Sequence, residues 1–138
     1  MTFGSAASSG ARADDRCPCG SGALFSGCCA PVLAGGAATT PEQLMRSRYT
    51  AFVLADADHL ERTWHPRTRP ERVQIDPDLT WTGLQIDRST GGTAGEAAGT
   101  VEFRASWVTR SGERGVLRET SRFERRGGRW LYLDGEVL

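Results

Sequence analysis

Four cysteines lie close together near the N-terminus, in the segment CPCGSGALFSGCC over residues 17–29. They form two close pairs, C-x-C and C-C, joined by a short glycine-rich loop. Zinc takes four soft ligands in a tetrahedron, and thiolates at this spacing can supply them where glycines let the backbone turn tightly. The segment therefore predicts one structural zinc ion. The predicted ligands are Cys17, Cys19, Cys28 and Cys29.

Three other interpretations of the cysteines are weaker. Free thiols packed as small apolar side chains are unusual in so polar a segment. Disulfides would spread along the chain, and the adjacent Cys28 and Cys29 are sterically poor partners. An iron–sulfur cluster also uses four cysteines, but the spacing differs from the ferredoxin patterns. With all four thiolates bound, zinc has no open coordination position, which predicts a structural and not a catalytic ion.

Composition excludes several classes of protein. The chain has 138 residues and a formal net charge of zero, and its 17 basic residues are all arginine. A protein that wraps nucleic acid needs a basic surplus, so a nucleic-acid partner is not expected. The longest apolar run, residues 51–55, is too short for a membrane span, and the N-terminus lacks an apolar signal core. We expect a cytoplasmic protein, whose thiols stay reduced.

The chain divides into four segments by composition. Residues 1–16 are small and polar and are expected to form a disordered tail. The zinc motif occupies residues 17–30, and residues 31–39 (PVLAGGAAT) look like a linker. A globular domain is expected over residues 40–138, long enough for one core.

The domain is predicted to begin with a helix at residue 40. Thr40 can cap it, Pro41 suits the first helical position, and Gln43 completes a capping box. An apolar stripe follows at helical spacing, interrupted by one arginine. The stripe is Leu44, Met45, Arg48, Tyr49, Phe52 and Val53.

A second, shorter helix is predicted after Asp56, which can cap it. Leu60 and Trp64 would lie on one face of this helix, four residues apart. Pro66 would end it, because the residue before a proline avoids the helical region.

From Val73 onward, apolar residues alternate with polar ones, as in half-buried strands. The alternation changes phase at Gly83, which predicts a β-bulge or a bend there. Residues 88–99 are rich in Gly, Ala and Thr and are interpreted as a loop. Helices followed by an antiparallel meander make an α+β fold. The remaining strands are predicted near residues 101–107, 117–123 and 130–134, with turns at 111–115 and 125–128.

Two resemblances to known families add to this picture. CPCGSG-x5-CC resembles the SEC-C motif, known from the C-terminus of the SecA translocation motor. The stretches LMRSRYTAFVLADADHLERTWHP (44–66) and RETSRFERRGGRWLYLDG (118–135) resemble the YchJ family of small bacterial proteins. This resemblance implies a nuclear-transport-factor-2-like domain, a curved antiparallel sheet wrapped by helices into a cone.

The loop between the cysteine pairs differs from the SEC-C pattern. SEC-C loops usually carry several lysines that dock on an acidic chaperone and on ribosomes, whereas residues 23–27 here carry no charge. Leu24 and Phe25 are instead predicted to anchor a protein partner through an exposed apolar contact. The alternative is that they pack the zinc knuckle against the main domain.

The concave face of the implied cone is the expected place for a small-ligand cavity. Tryptophans are candidates to line it, because ligand cavities are mostly apolar, although a core role is favoured for most of them. The candidates are Trp64, Trp81 and Trp107.

Polar candidates for the same cavity come from two motifs. Glu119 and Ser121 share a strand face with apolar neighbours, and a polar group on such a face needs a partner or a wet pocket. The alternative is that Glu119 pairs with an arginine. His65 is a further candidate, because the resemblance to the YchJ family includes the motif TWHP.

The function predicted from these features is that of a small zinc-binding protein without enzymatic activity. Its knuckle would contact a protein partner, and its cone would serve as scaffold or hold a small ligand. One alternative is an isomerase-like or dehydratase-like enzyme that uses the cone cavity, although a fold does not determine function. Another is an accessory factor of translation or protein export.

Overall fold

The computed structural model describes residues 11–93 and 95–138. A 3₁₀ turn at Phe25–Gly27 is followed by three helices, then by four strands. The helices are α1 (Cys29–Leu33), α2 (Pro41–Leu54) and α3 (Ala57–Arg62). The strands are β1 (Leu79–Thr90), β2 (Ala98–Thr109), β3 (Arg114–Arg126) and β4 (Arg129–Val137).

Helix α2 begins as the sequence predicts. Thr40 Oγ1 accepts a hydrogen bond from the Gln43 backbone N–H at 3.0 Å, and Pro41 is the first helical residue. The return bond of the capping box goes to a different residue, because Gln43 Oε1 accepts from the Thr39 backbone N–H at 2.6 Å. The helix ends at Ala55, whose φ of 59° is left-handed and closes the last turn.

Helix α3 begins at its predicted cap but ends earlier than predicted. Asp56 Oδ1 accepts from the His59 backbone N–H at 3.1 Å. The helix ends at Arg62, so the prediction that Trp64 lies on it is wrong. Trp64 instead forms an isolated parallel bridge with Tyr132 of β4. This bridge holds the chain after α3 against the last strand.

The four strands form one antiparallel sheet in the order β1-β2-β3-β4. The predicted bulge is present, as a register shift between Trp81 and Gly83, and a second shift lies between Ile86 and Arg88. The interpretation of residues 88–99 as a loop is wrong in part, since β1 continues to Thr90 and β2 starts at Ala98. Backbone pairing extends the strands into polar sequence, where the apolar alternation has already stopped.

The core lies between α2 and the concave face of the sheet. Leu44, Met45 and Tyr49 of α2 pack against the inward residues of β2 and β3. The inward residues include Val101, Phe103, Ala105 and Phe123, as the alternation predicts. Helices wrapped on a curved antiparallel sheet confirm the predicted α+β cone.

The cysteine segment packs on this cone. Of the predicted tail over 1–16, residues 1–10 lie outside the described residues, while the Asp15 carbonyl accepts from the Phe25 N–H at 2.8 Å. The segment predicted as a linker, 31–39, starts within α1, and its Val32 and Ala38 are buried. In the described part of the chain, no helix is long and apolar enough to cross a membrane.

Candidate metal centre and cone cavity

The four cysteine sulfurs converge on one point. All four Sγ atoms lie within 4.8 Å of one another, and Cys19 Sγ and Cys28 Sγ are 3.6 Å apart. Ligands of a tetrahedral zinc with bonds of about 2.3 Å would sit about 3.8 Å apart. All four are free thiols. The donor set therefore fits a four-thiolate metal ion without a large rearrangement.

The local sequence explains how the two cysteine pairs meet. Gly20 and Gly22 adopt φ values of 78° and 87°, a region that side chains disfavour, and they turn the chain back after the first pair. The Cys17 N–H donates to the Ala23 carbonyl at 2.9 Å, which closes the loop. Cys29 is the first residue of α1, so the second pair lies at the start of that helix.

Side chains around the sulfurs donate hydrogen bonds to them. Thr50 Oγ1 donates to Cys29 Sγ at 3.3 Å, and Ser21 Oγ lies 3.2 Å from Cys28 Sγ. Arg46 Nη1 lies 3.8 Å from Cys19 Sγ. Such donors offset the charge of a thiolate site and hold its ligands in place. Arg46 and Thr50 both belong to α2, so the main helix supports the candidate metal centre.

The thiol pKa values show how strongly the sulfurs interact. Hydrogen bonding from Cys29 lowers the pKa of Cys19 to about 4, and the same bond raises the pKa of Cys29. Burial raises the pKa of Cys28. A Cys19 thiolate beside protonated Cys28 and Cys29 would be a strong initial ligand for a cation. Completion of a four-thiolate site would release the remaining protons.

The knuckle is continuous with the main core. Cys17, Cys19 and Cys29 are buried and belong to the same apolar cluster as Leu44 and Met45. Phe25 is half-buried and packs against this cluster, whereas Leu24 is 45% exposed. The two residues predicted as one partner contact therefore have different surroundings.

A cavity of about 160 Å³ lies between α2 and the concave face of the sheet. Of the candidates from the sequence, Trp64, Trp81, Glu119 and Ser121 line this cavity. The other lining residues are Met45, Arg48, Tyr49, Phe52, Phe103, Ala105, Leu117 and Tyr132. We call this space the cone cavity.

His65 and Trp107 lie outside the cone cavity. His65 is buried, with Nε2 at 3.2 Å from Glu124 Oε1 and Nδ1 accepting from the Arg67 backbone N–H. Trp107, near the end of β2, lies over Gly115, where a Cβ atom would be only 2.1 Å from the indole ring. Both residues make structural contacts in these positions.

Arg48 is the cavity residue that sequence reasoning missed. It is 4% exposed, and its Nη1 donates to Leu60 O at 2.9 Å and to Thr63 Oγ1 at 2.7 Å. The guanidinium also lies over the rings of Trp64 and Tyr132, at 5.1 Å and 4.5 Å from their centroids. Burial lowers the pKa of Arg48 to about 10. The signal was present in the sequence, as a single arginine inside the apolar stripe of α2.

No carboxylate of the described residues lies within ion-pair distance of Arg48. Glu119 lines the same cavity, but its Oε2 accepts from Ser121 Oγ at 2.8 Å. Gly135 on β4 makes room for this carboxylate, because a Cβ atom there would lie 2.1 Å from Glu119 Oε2. The Trp64 indole N–H is buried and has no acceptor among residues 11–93 and 95–138. The cavity thus combines apolar walls, one unpaired cation and one carboxylate.

Comparison with known proteins places this architecture in a family. Residues 40–135 match the family model described as YchJ, middle NTF2-like domain. The chain belongs to the YchJ family. This result confirms the resemblance noted in the sequence and the nuclear-transport-factor-2-like fold.

Relatives and solved structures agree over most of the chain. A UPF0225 protein of Streptomyces coelicolor is 52% identical over 88% of this chain and 95% of its own length. A UPF0225 protein of Deinococcus radiodurans is 47% identical over 86% of each. A SEC-C motif containing protein from Rhodopseudomonas palustris is similar in structure, with a TM-score of 0.79 and 34% identity over 88% of this chain and 98% of that one.

Proposed function

We propose that this YchJ family member is a zinc-stabilised binding protein whose cone cavity holds one small molecule with an apolar body and an anionic head. The observation that carries the proposal is Arg48, a buried guanidinium that faces an apolar cavity without a carboxylate partner. A buried charge is costly unless a counter-charge or hydrogen bonds compensate it. A ligand carboxylate would supply the missing counter-charge.

Zinc is the proposed metal because the four donors are all thiols. Cys17, Cys19, Cys28 and Cys29 supply four soft ligands and no oxygen ligand, the donor set of structural zinc sites. Zinc there would tie the N-terminal segment to α2 and supply folding energy. Elemental analysis of purified protein is expected to find one zinc per chain, and a chain without stoichiometric metal would contradict the assignment.

The size of the cavity limits the ligand. An apolar cavity of about 150 Å³ holds a benzene molecule, so the 160 Å³ here suits one aromatic or branched aliphatic group. Phe52, Trp81 and Leu117 would contact that group. Arg48 would bind the carboxylate, and Glu119 would accept a hydrogen bond from a hydroxyl or amine on the same ligand. A hydroxylated aromatic acid has all three features.

The test is a titration of the zinc-loaded chain with benzoate, 4-hydroxybenzoate and benzamide. Binding is followed by the indole N–H signals in a proton–nitrogen correlation spectrum, in which Trp64 is assigned by a Trp64→Phe variant. The two acids are expected to bind saturably and to shift the Trp64 signal, while the neutral amide binds at least about tenfold more weakly. Equal binding of acid and amide would remove the role given to Arg48.

An enzyme that uses the same cavity is a second candidate, favoured by the carboxylate of Glu119 beside Ser121 and Tyr132. A positioned carboxylate can serve as a general base in isomerase-like or dehydratase-like chemistry. The Glu119→Gln variant separates the two candidates. A binding protein would show no turnover in either form and would keep its affinity for benzoate, which has no hydroxyl for Glu119 to bind. An enzyme would lose turnover in the variant.

A protein-binding role of the knuckle, predicted from the sequence, is supported by Leu24 alone. Leu24 is 45% exposed, while Phe25 packs against the core. A Leu24→Ser variant with unchanged zinc content is expected to lose capture of a protein partner from a native lysate. Phe25→Ala is the contrasting variant, because it is expected to lower stability. Unchanged capture by the Leu24 variant would count against this role.

A further inference from the structure

A second cavity, of about 540 Å³, shares no lining residue with the cone cavity. Its walls come from the segment after α1, from α3 and the turn that follows, and from the start of β4. We call it the arginine pocket. Its lining residues are Val32, Gly35, Gly36, Ala37, Ala38, Leu44, His59, Arg62, Thr63, Arg69, Arg129, Trp130 and Leu131.

Of the described residues, three arginines and no acidic residue line this pocket. Arg62, Arg69 and Arg129 each lie more than 4.0 Å from every carboxylate oxygen of the described residues. The ten residues before Ala11 contain no Asp or Glu either. In a chain of zero net charge, an unpaired group of three cations is a local concentration of positive charge.

Backbone carbonyls hold two of these arginines at one rim of the pocket. Arg62 Nη2 donates to Leu33 O at 3.1 Å, and Arg129 Nη1 donates to Gly35 O at 3.0 Å. Their acceptors, at the last residue of α1 and in the turn after it, are two residues apart, so α3 and β4 both place a guanidinium at the end of α1. Arg69 Nε donates to Trp64 O at 3.3 Å from a third direction. A guanidinium has five N–H donors, so most of the donors of all three remain available.

Trp130, which lines the pocket, carries a polar group that lacks a partner. The residue is 3% exposed, and its indole N–H is buried without an acceptor among the described residues. An unsatisfied buried donor destabilises the folded state. An acceptor bound in the pocket would satisfy this N–H. The arginines and the indole are donors only, so all of these groups require the same kind of ligand atom.

We propose that the arginine pocket binds the dianionic phosphate group of a small phosphorylated molecule. Guanidinium forks match phosphate oxygens in geometry and form charge-assisted hydrogen bonds with them. Arg62, Arg69 and Arg129 would surround the phosphate, and the Trp130 N–H would donate to one of its oxygens. The volume leaves room for a body of sugar size against Leu131 and the Gly35–Gly36 backbone.

Binding is tested by calorimetric titration of the zinc-loaded full chain in a phosphate-free buffer of low ionic strength. The probes are inorganic phosphate, ribose 5-phosphate and ribose. We expect both phosphates to bind saturably at about millimolar concentration or below, with an affinity that falls as salt is added, and ribose to show no heat. Tighter binding of the sugar phosphate would indicate an ester ligand, and equal binding would indicate the free ion. Absence of saturable binding by either phosphate up to about 10 mM would overturn the proposal.

Variants locate the binding. Arg62→Gln, Arg69→Gln and Arg129→Gln are each expected to weaken phosphate binding at least about tenfold. Arg126→Gln is the matched control, since Arg126 is exposed at the end of the same hairpin but does not line the pocket; it is expected to change affinity by less than about twofold. If Arg126→Gln lost as much phosphate affinity as the pocket variants, the binding would depend on general surface charge, and the proposed site would be wrong.

A spectroscopic measurement does not depend on the stability of any variant. Phosphate is expected to shift the Trp130 indole N–H signal of the unmodified protein, identified through a Trp130→Phe variant, and to leave the Trp81 signal in place. A shift confined to other indoles would contradict the proposal. The cone-cavity ligand is tested separately with benzoate, so failure of one proposal leaves the other intact.

Discussion

Helix α2 carries two buried or half-buried arginines, Arg46 and Arg48, on different sides, and their surroundings differ in charge. Arg46 faces the knuckle, where Nε bonds Glu42 Oε2 at 3.0 Å and Nη1 donates to the Cys19 carbonyl at 2.9 Å. Arg48, two residues later, faces the cone cavity and has only neutral partners. Although burial opposes it, bonding to Glu42 and Cys19 raises the pKa of Arg46, whereas burial lowers the pKa of Arg48 to about 10.

This contrast separates a structural charge from one that is available for binding. On the knuckle side, the Arg46 guanidinium already bonds a carboxylate, a carbonyl oxygen and a sulfur, so its charge is compensated within the protein. The cone side keeps a desolvated cation within apolar walls, which raises the free energy of the empty cavity relative to a paired arrangement. Under the proposed function, the knuckle side maintains the fold and the cone side recognises a ligand.

Removal of the proposed zinc ion is expected to have the largest effect. A ligand present at a thousandfold above its dissociation constant stabilises the folded state by about 4 kcal/mol, and a chelator would remove that amount. Because Cys17, Cys19 and Cys29 belong to the main core, the whole domain is expected to unfold at lower urea concentration. Far-UV circular dichroism measures the transition. An unchanged midpoint in verified metal-free protein would show that the knuckle is independent of the cone.

The Arg48→Met variant tests the cone side. Loss of the charged hydrogen-bond donor is expected to weaken benzoate binding about 10- to 100-fold, while zinc remains at one ion per chain. Calorimetry and elemental analysis measure the two quantities. Arg104→Met is the control, because Arg104 pairs with Asp87 away from the cavity. Loss of zinc in the Arg48 variant would contradict the assignment of separate roles to the two sides of α2.

The Arg46→Gln variant is the reciprocal test on the knuckle side. Mutation of residues that support metal ligands typically lowers metal affinity by about tenfold or more. We expect such a loss in competition with a chromogenic chelator, with benzoate affinity unchanged. A variant that binds zinc as tightly as the unmodified protein would show that Thr50 and Ser21 are sufficient donors.

The smallest expected effect concerns His59, which links α3 to α2 through Ser47 Oγ at 2.9 Å from its Nε2. Burial, with Arg62 and Arg48 nearby, lowers the His59 pKa to about 4. An unfolded chain, with a His pKa of about 6.5, binds more protons below that pH, so this contribution is complete above pH 6.5 and falls as pH drops toward 4. At pH 5.5 the loss is about 1 kcal/mol.

Urea unfolding of the protein and of His59→Gln at pH 7.5 and 5.5 measures this contribution. Acid also weakens metal binding, but it does so in both proteins, so the difference between them isolates His59. The variant is expected to lose less stability than the unmodified protein between the two pH values. Parallel losses would show that His59 is protonated in the folded state.

Features determined by neighbouring residues were predictable from the sequence. The cysteine spacing, the Thr40 cap, the Asp56 cap and the bulge at Gly83 each depend on a few adjacent positions, and the structure contains all four arrangements. The positions of Glu119 and Ser121 in the cavity followed from strand alternation, which fixes the face of each side chain.

Features that depend on contacts between distant segments were not predictable. Trp64 lies outside the predicted helix because it pairs with Tyr132, and His65 contacts Glu124. Both partners are more than fifty residues away in the sequence. Arg48 looked like an interruption of an apolar stripe, since only the folded sheet shows that Trp64 and Tyr132 enclose it. The arginine pocket likewise joins Arg62 and Arg129 across half the chain.

Gly135 has a consequence for how ligand preference could change. The Glu119 carboxylate occupies the space that a methyl group on residue 135 would fill. Alanine at this position, which does not itself line the cavity, would expel the carboxylate and leave Arg48 as the sole charge inside. A single methyl group at residue 135, which the ligand does not contact, would then change the preference of the cone cavity. A cavity proposed to suit amphoteric molecules would become selective for simple acids.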